Sequence, residues 1–154
     1  MKLAELLNER KRLKTDIDRL KERLILACQM QEGDPAPSED PEQLLNELGN
    51  IHLDLCRFIN KINRTNQTIK HEGEPLASML ARRNQYQALA DFLHKLAETA
   101  TPKQERYSQK EIRFVPTIRI SYLRGLANDY GNKARTLDNI IQNLNWTTDI
   151  EEEV

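Results

Sequence analysis

Apolar residues recur every three or four positions along most of this chain, a spacing typical of amphipathic helices. The pattern predicts helices over about 2–31, 41–70, 75–98 and 121–144. In the first, the recurring positions are Leu3, Leu6, Leu13, Ile17, Leu20, Leu24 and Ala27, with Arg10 in the one gap. In the second, they are Leu44, Leu48, Ile51, Leu55, Phe58, Ile62, Thr65 and Ile69. Seams of this kind are typical of helices that pack side by side.

Glycine and proline separate the predicted helices. The stretch from Gly33 to Pro41 cannot continue a helix, and Asp40-Pro41 is a good start signal, with Asp as N-cap and Pro at the first helical position. Two long seams joined by a short loop predict a long antiparallel, coiled-coil-like helical hairpin. The predicted fold class is therefore mostly α, with four amphipathic helices in a single domain over residues 1–154.

Residues 111–120 follow a different pattern, in which apolar and polar side chains alternate. Ile112, Phe114, Ile118 and Ile120 are the apolar members, and Pro116 interrupts them. This alternation predicts a short β-strand region before the last helix, at a sheet edge or a bend. Its partner is left open between a hairpin around Pro116, the tail after Trp146, and another subunit.

The charge is nearly balanced, with a formal net value of -1, so nothing draws the whole chain towards nucleic acid or an anionic membrane. The first helix nevertheless contains a basic run, Arg10, Lys11, Arg12 and Lys14. This run makes a nucleic-acid-binding arm an alternative function. Acidic residues punctuate the run and no aromatic residue is interleaved for base stacking, which favours a solvated helix face.

The two cysteines, Cys28 and Cys56, fall among apolar helical positions, which predicts buried free thiols rather than a disulfide. The N-terminal region lacks the uninterrupted apolar stretch of a signal peptide. No segment is long and apolar enough to suggest a transmembrane helix. Together these features predict a cytoplasmic protein.

No catalytic or metal-binding motif stands out. The three histidines form no Cys/His spacing pattern, and the Glu-x-x-His motif of bundle di-metal centres is missing. Neither a Gly-x-Ser-x-Gly elbow nor a glycine-rich phosphate loop occurs. We therefore expect no metal and no cofactor, and the sequence favours a non-enzymatic role.

Several polar motifs resemble a known family. They are Met1-Lys2-Leu3-Ala4-Glu5, Gln31-Glu32-Gly33-Asp34, Ile62-Asn63-Arg64-Thr65-Asn66, Leu80-Ala81-Arg82-Arg83, Tyr107-Ser108, Glu111-Ile112, Phe114-Val115 and Asn145-Trp146-Thr147-Thr148. In this order the chain resembles the bacterial septicolysin-like family of small uncharacterised proteins. The label suggests a pore-forming haemolysin, but the sequence argues against that activity, because it shows neither an export signal nor a membrane-spanning segment.

The resemblance implies a shared polar site or interface where its motifs coincide with unusual polar residues. Those residues are Asn63, Arg64, Asn66, Arg82, Arg83, Glu111, Asn145 and Trp146. A small-ligand or enzymatic site at this Asn/Arg/Trp patch is a further alternative function.

The leading interpretation is a structural or protein-interaction protein that acts through its helical seams. A helix of thirty residues would be about 45 Å long, and the shorter third and fourth helices would not cover both faces of such a hairpin. The uncovered seam predicts a homo-oligomer, with the strand region or the hairpin tip at the interface. A different protein partner is also compatible with this pattern.

Overall fold

In a computed structural model, which describes residues 1–103 and 112–150, four long helices dominate the chain. They are α1 (Leu3–Ala27), α2 (Pro41–Thr68), α3 (Leu76–Ala100) and α4 (Ile120–Thr147). Two short strands, β1 (Lys70–His71) and β2 (Glu74–Pro75), form a small sheet between α2 and α3. The predicted fold class, mostly α with a helical hairpin and a short β region before the last helix, is confirmed.

The position of the strands differs from the prediction. Within 111–120, Glu111 lies outside the described residues, residues 112–119 are neither helical nor extended strand, and Ile120 already begins α4. The strands instead flank a tight turn at Glu72 and Gly73, whose φ angles of 49° and 85° are both positive. Those angles suit a type I′ turn, which matches the twist of two paired strands. Alternation alone does not make a strand where no neighbouring strand pairs with it.

The contacts divide the chain into two compact units, and each is described by itself. The first comprises Met1–Lys70 and Leu144–Val154, and the second comprises His71–Asn143. A single domain over 1–154 stays a prediction.

The core of the first unit lies between α1 and α2. Leu20, Ala27 and Leu44 are buried together, and partly buried Leu24, Leu48 and Ile51 pack against them. Contact between the end of α1 and the start of α2 is what an antiparallel hairpin requires. Asp40 is the N-cap of α2, as predicted, and its Oδ1 accepts a hydrogen bond of 3.0 Å from the backbone N–H of Glu42.

The prediction that both cysteines are buried is wrong. Cys28 and Cys56 are both exposed free thiols. The helix α1 ends at Ala27, four residues earlier than predicted, and Ala27 is also its last buried position. Cys28 therefore lies just beyond the helix and its buried face. Cys56 follows the seam residue Leu55 and is therefore rotated about 100° away from the buried face.

The two ends of the chain pair with each other inside the first unit. Lys2 and Asp149 form an isolated antiparallel bridge, flanked by hydrogen bonds from Leu3 N–H to Thr148 O (3.1 Å) and from Ile150 N–H to Met1 O (2.9 Å). The Lys2 ammonium lies 2.6 Å from Asp149 Oδ1. Its hydrogen bond lowers the pKa of the Asp149 carboxyl below the usual range. The partner of the tail is thus the start of the chain rather than the 111–120 region.

The core of the second unit lies between α3 and α4. Leu93 and Ala97 of α3 pack with Leu123 and Ala127 of α4, and all four are buried. The small alanine side chains leave room for the helix backbones to approach closely.

Candidate functional site

A surface groove between α3 and α4 combines positive charge with aromatic rings. It has a volume of about 410 Å³ and is lined by Arg82, Tyr86, Asn132, Lys133, Thr136 and Leu137. Residues Arg82 and Tyr86 stand four positions apart on α3, so they occupy the same helix face. The other lining residues occupy two consecutive turns of α4. We call this surface the cationic groove, and its volume is within the range of small-molecule sites.

Two tyrosines hold the Lys133 ammonium in place. It lies 5.2 Å from the ring centroid of Tyr130 and 5.8 Å from that of Tyr86. The two rings are themselves in contact, with centroids 5.8 Å apart and an interplanar angle of 42°. The two distances from the Lys133 ammonium to the ring centroids are within the range of cation–π attraction. Among the described residues no carboxylate forms an ion pair with Lys133.

The two arginines of α3 beside the groove do have carboxylate partners. Arg82 lies 2.6 Å from a carboxylate oxygen of Glu74, which belongs to β2, directly before α3. Arg83 is half-buried, and its Nη1 donates a hydrogen bond of 2.6 Å to Asp138 of α4. The Arg83–Asp138 pair joins the two helices, whereas Arg82 is half-exposed and keeps part of its guanidinium accessible at the groove.

A second surface feature of this unit is the segment 112–118 before α4, which we call the apolar segment. Three of its side chains are almost fully accessible, Ile112 (85%), Phe114 (94%) and Val115 (73%). Ile118 and nearby Tyr122 of α4 are also exposed, and the Arg119 guanidinium lies 5.7 Å from the Tyr122 ring centroid. Exposed clusters of this kind are typical of protein-interaction sites.

The structure places the residues of the predicted polar patch in several surroundings. Asn63 and Arg64 are exposed on α2, Asn66 is half-buried there, Asn145 is buried near the end of α4, and Trp146 is exposed beside it. These five belong to the first unit, whereas Arg82 and Arg83 belong to the second. Glu111 lies outside the described residues. A common site for these residues stays a prediction.

One residue of the basic run of α1, Arg12, is paired with two acidic neighbours. Arg12 Nε donates to Glu9 (3.0 Å) and Arg12 Nη1 donates to Asp16 (2.8 Å). The hydrogen bond to Glu9 is the largest cause of a raised pKa for Arg12, and the bond to Asp16 contributes in the same direction. Arg10 is half-buried, and Lys11 and Lys14 are exposed. A helix face in which acids alternate with bases attracts phosphate weakly, which counts against the nucleic-acid alternative.

Metal and membrane signals are likewise missing from the part of the chain that the structure covers. Among residues 1–103 and 112–150, no three His, Cys, Asp or Glu side chains lie together in a way that could hold a metal ion. None of the four helices combines the length and the apolar character needed to cross a membrane.

No sequence motif marks the central residues of the cationic groove. Tyr86, Tyr130 and Lys133 are not among the candidate residues that the sequence motifs indicate. The spacing of three residues between Tyr130 and Lys133 places both on one helix face, which is the signal that could have found them. Pairing with Tyr86 depends on the packing of α3 against α4, which the sequence does not specify.

Comparison with known proteins identifies the family but no activity. The model of a family of unknown function, DUF6847, matches residues 10–150, and the chain belongs to this family. A crystal structure described as that of a functionally unknown conserved protein from Corynebacterium diphtheriae is similar, at 34% identity and a TM-score of 0.91. The similarity covers 98% of this chain and 99% of that one. A search of curated proteins found no match.

The resemblance to the septicolysin-like family is therefore wrong. The family model that matches is DUF6847, and the similar crystal structure has no assigned function. The motifs that suggested the resemblance are short, and some of them, such as Ile62-Asn63-Arg64-Thr65-Asn66 of α2, lie entirely within amphipathic helices. Such stretches recur in unrelated helical proteins.

Proposed function

We propose that this member of the family is a non-enzymatic protein-interaction protein that associates with copies of itself through the apolar segment 112–118. The observation behind the proposal is the exposure of Phe114, which is 94% accessible, between Ile112 and Val115. Burying one such side chain is worth about 1.5–3 kcal/mol. Leaving three of them in water is therefore a substantial cost that association would remove.

The proposal assigns the association to this segment rather than to the helical seams. The seam residues of α1 and α2 are already buried or half-buried within the hairpin, so they contribute little to a further interface. The segment also has the alternating sequence pattern of a strand, although among the described residues no strand lies beside it. A second copy of the same segment can supply that strand, which is a common way for chains to associate.

A competing interface is the tip of the helical hairpin. Ile25, Leu26 and Met30 are exposed there by 70%, 76% and 55%. These side chains stand at the end of α1 and in the loop after it, as scattered exposed apolar residues do in many monomers. We rank the segment above the tip because Ile112 (85%) and Phe114 (94%) are each more exposed than any of the three side chains of the tip.

The test is light scattering across a dilution series, on the natural chain and on two variants. The natural chain should have a molar mass that is a multiple of 18.0 kDa. Phe114→Ser should shift the association to concentrations about tenfold or more higher, since more than 1.4 kcal/mol of burial is lost. Leu26→Ser is the matched control and should leave the molar mass unchanged. A natural chain that is monomeric throughout, or dissociation by Leu26→Ser but not by Phe114→Ser, would refute the proposal.

A further inference from the structure

The cationic groove has the composition of a site for a small organic anion. Two cations, Arg82 and Lys133, stand at its walls, and Glu74 beside Arg82 is the one carboxylate shown to engage either of them among the described residues. Half-buried Tyr86 supplies apolar surface between them, and Leu137, which is 7% exposed, adds a small part of it. An occupant that matches these features has one negatively charged group and a flat apolar body.

The Lys133 ammonium is held in advance of binding. The faces of Tyr86 and Tyr130 attract it from one side, at 5.8 and 5.2 Å, and restrict a side chain that is otherwise flexible. An anion that approaches from the open side adds its attraction to that of the rings. Part of the entropy of ordering this lysine is thus already lost in the free protein, which favours binding.

Two other polar atoms at the groove are engaged within α4. The Thr136 hydroxyl donates a hydrogen bond of 3.0 Å to the backbone oxygen of Asn132, and the Asn132 Oδ1 accepts one of 2.8 Å from Arg135. Recognition of charge therefore depends on Lys133 first, with Arg82 assisting where its guanidinium is accessible beside Glu74.

We propose that this groove binds a small planar organic anion, with its carboxylate or phosphate at Lys133 and Arg82 and its apolar body against Tyr86 and Leu137. This site is separate in composition from the apolar segment and does not depend on self-association. A groove of about 410 Å³ is large enough for a body of two fused rings.

The test uses four probes whose binding is followed by two-dimensional NMR titration at physiological ionic strength. The probes are 2-naphthoate, 2-naphthyl phosphate, the neutral 2-naphthalenemethanol, and acetate, which has the charge without the rings. We expect at least one naphthyl anion to bind about tenfold or more tightly than the alcohol and than acetate. The stronger of the two naphthyl anions shows whether carboxylate or phosphate is preferred. Equal binding of naphthyl anions and alcohol would overturn the proposal.

Variants of exposed lysines locate the effect. Lys133→Gln should lower the affinity for the naphthyl anion about tenfold. Lys133→Arg keeps the charge and can stack on the rings, so it should retain most of the affinity. Lys95→Gln removes an equal charge from the exposed surface of α3 and should change nothing. Unchanged binding in Lys133→Gln, or an equal loss in Lys95→Gln, would overturn the assignment to the groove.

Discussion

The hairpin core can be tested with one substitution made twice on the same helix. Leu20 is 6% exposed and packs with Ala27 and Leu44, whereas Leu26, six residues later on α1, is 76% exposed. Truncating each to alanine removes the same atoms from the same kind of backbone. The difference between the two losses of stability therefore measures burial against α2.

The expected magnitude follows from the environment of Leu20. Its truncation removes three carbon atoms from the core, worth about 2.4 kcal/mol at roughly 0.8 kcal/mol each. The cavity that remains adds to this, since core Leu→Ala substitutions cost about 2–5 kcal/mol. We expect Leu20→Ala to lower the free energy of unfolding by about 3 kcal/mol. Leu26→Ala should stay within about 0.5 kcal/mol of the natural chain, as exposed substitutions do.

The assay is urea-induced unfolding followed by two signals. The fluorescence of Trp146, the one tryptophan of the sequence, reports on the first unit, and far-UV circular dichroism reports on all helices. Leu20→Ala should shift the fluorescence transition strongly and Leu26→Ala should not. Similar losses for both variants, or a loss below about 1 kcal/mol for Leu20→Ala, would refute the packing of α1 on α2 described above.

Three further predictions concern the surface. Glu72→Asn should stabilise the protein by about 0.5 kcal/mol in the same urea assay, because asparagine tolerates the positive φ of a type I′ turn better than glutamate; a loss of stability would contradict that turn. Cys28 and Cys56 should both react with a thiol reagent in the native protein as fast as in urea, and strong protection of either would contradict their exposure. The carboxyl of Asp149 should titrate below its usual pKa of 3.8 and return towards it in Lys2→Gln, as measured by NMR. Because that pKa is lowered on folding, its stabilising contribution is present above pH 3.8 and disappears as the pH falls through the folded value; an unchanged midpoint in Lys2→Gln would contradict the pairing.

The helices could be predicted from the sequence because each repeats one signal many times. The seam residues of α1 and α2 follow the helical period over seven or eight positions, so single exceptions such as Arg10 do not hide it. The start of α2 has an independent local signal in Asp40-Pro41. Features that depend on one residue were predicted less well. Cys56, for example, directly follows the seam residue Leu55. One step along a helix turns a side chain by about 100°, which is enough to move it from the core to solvent.

The errors about strands and the groove have a common physical origin, since both features require a partner from elsewhere in the chain. Ile112 and Phe114 alternate like a strand, but a strand exists only where another pairs with it. The short sheet was missed because Glu72-Gly73 is an uncommon sequence for a turn with two positive φ angles. Likewise Lys133 acquires its significance from Tyr86, which approaches only when α3 packs against α4.

The two proposed surfaces should respond in opposite ways to salt, and this separates them experimentally. Association through Ile112, Phe114 and Val115 buries apolar surface, which salts such as sulfate strengthen. Binding of an anion at Lys133 is an attraction between charges at an exposed site, and a Debye length of about 8 Å at physiological ionic strength already weakens it. If added sulfate raises the molar mass of the natural chain, and weakens naphthyl-anion binding equally in the natural chain and in Phe114→Ser, the two surfaces act independently. A parallel rise in both would instead mean that the groove is completed when copies of the chain associate, and the Phe114→Ser variant would then lose anion binding together with self-association.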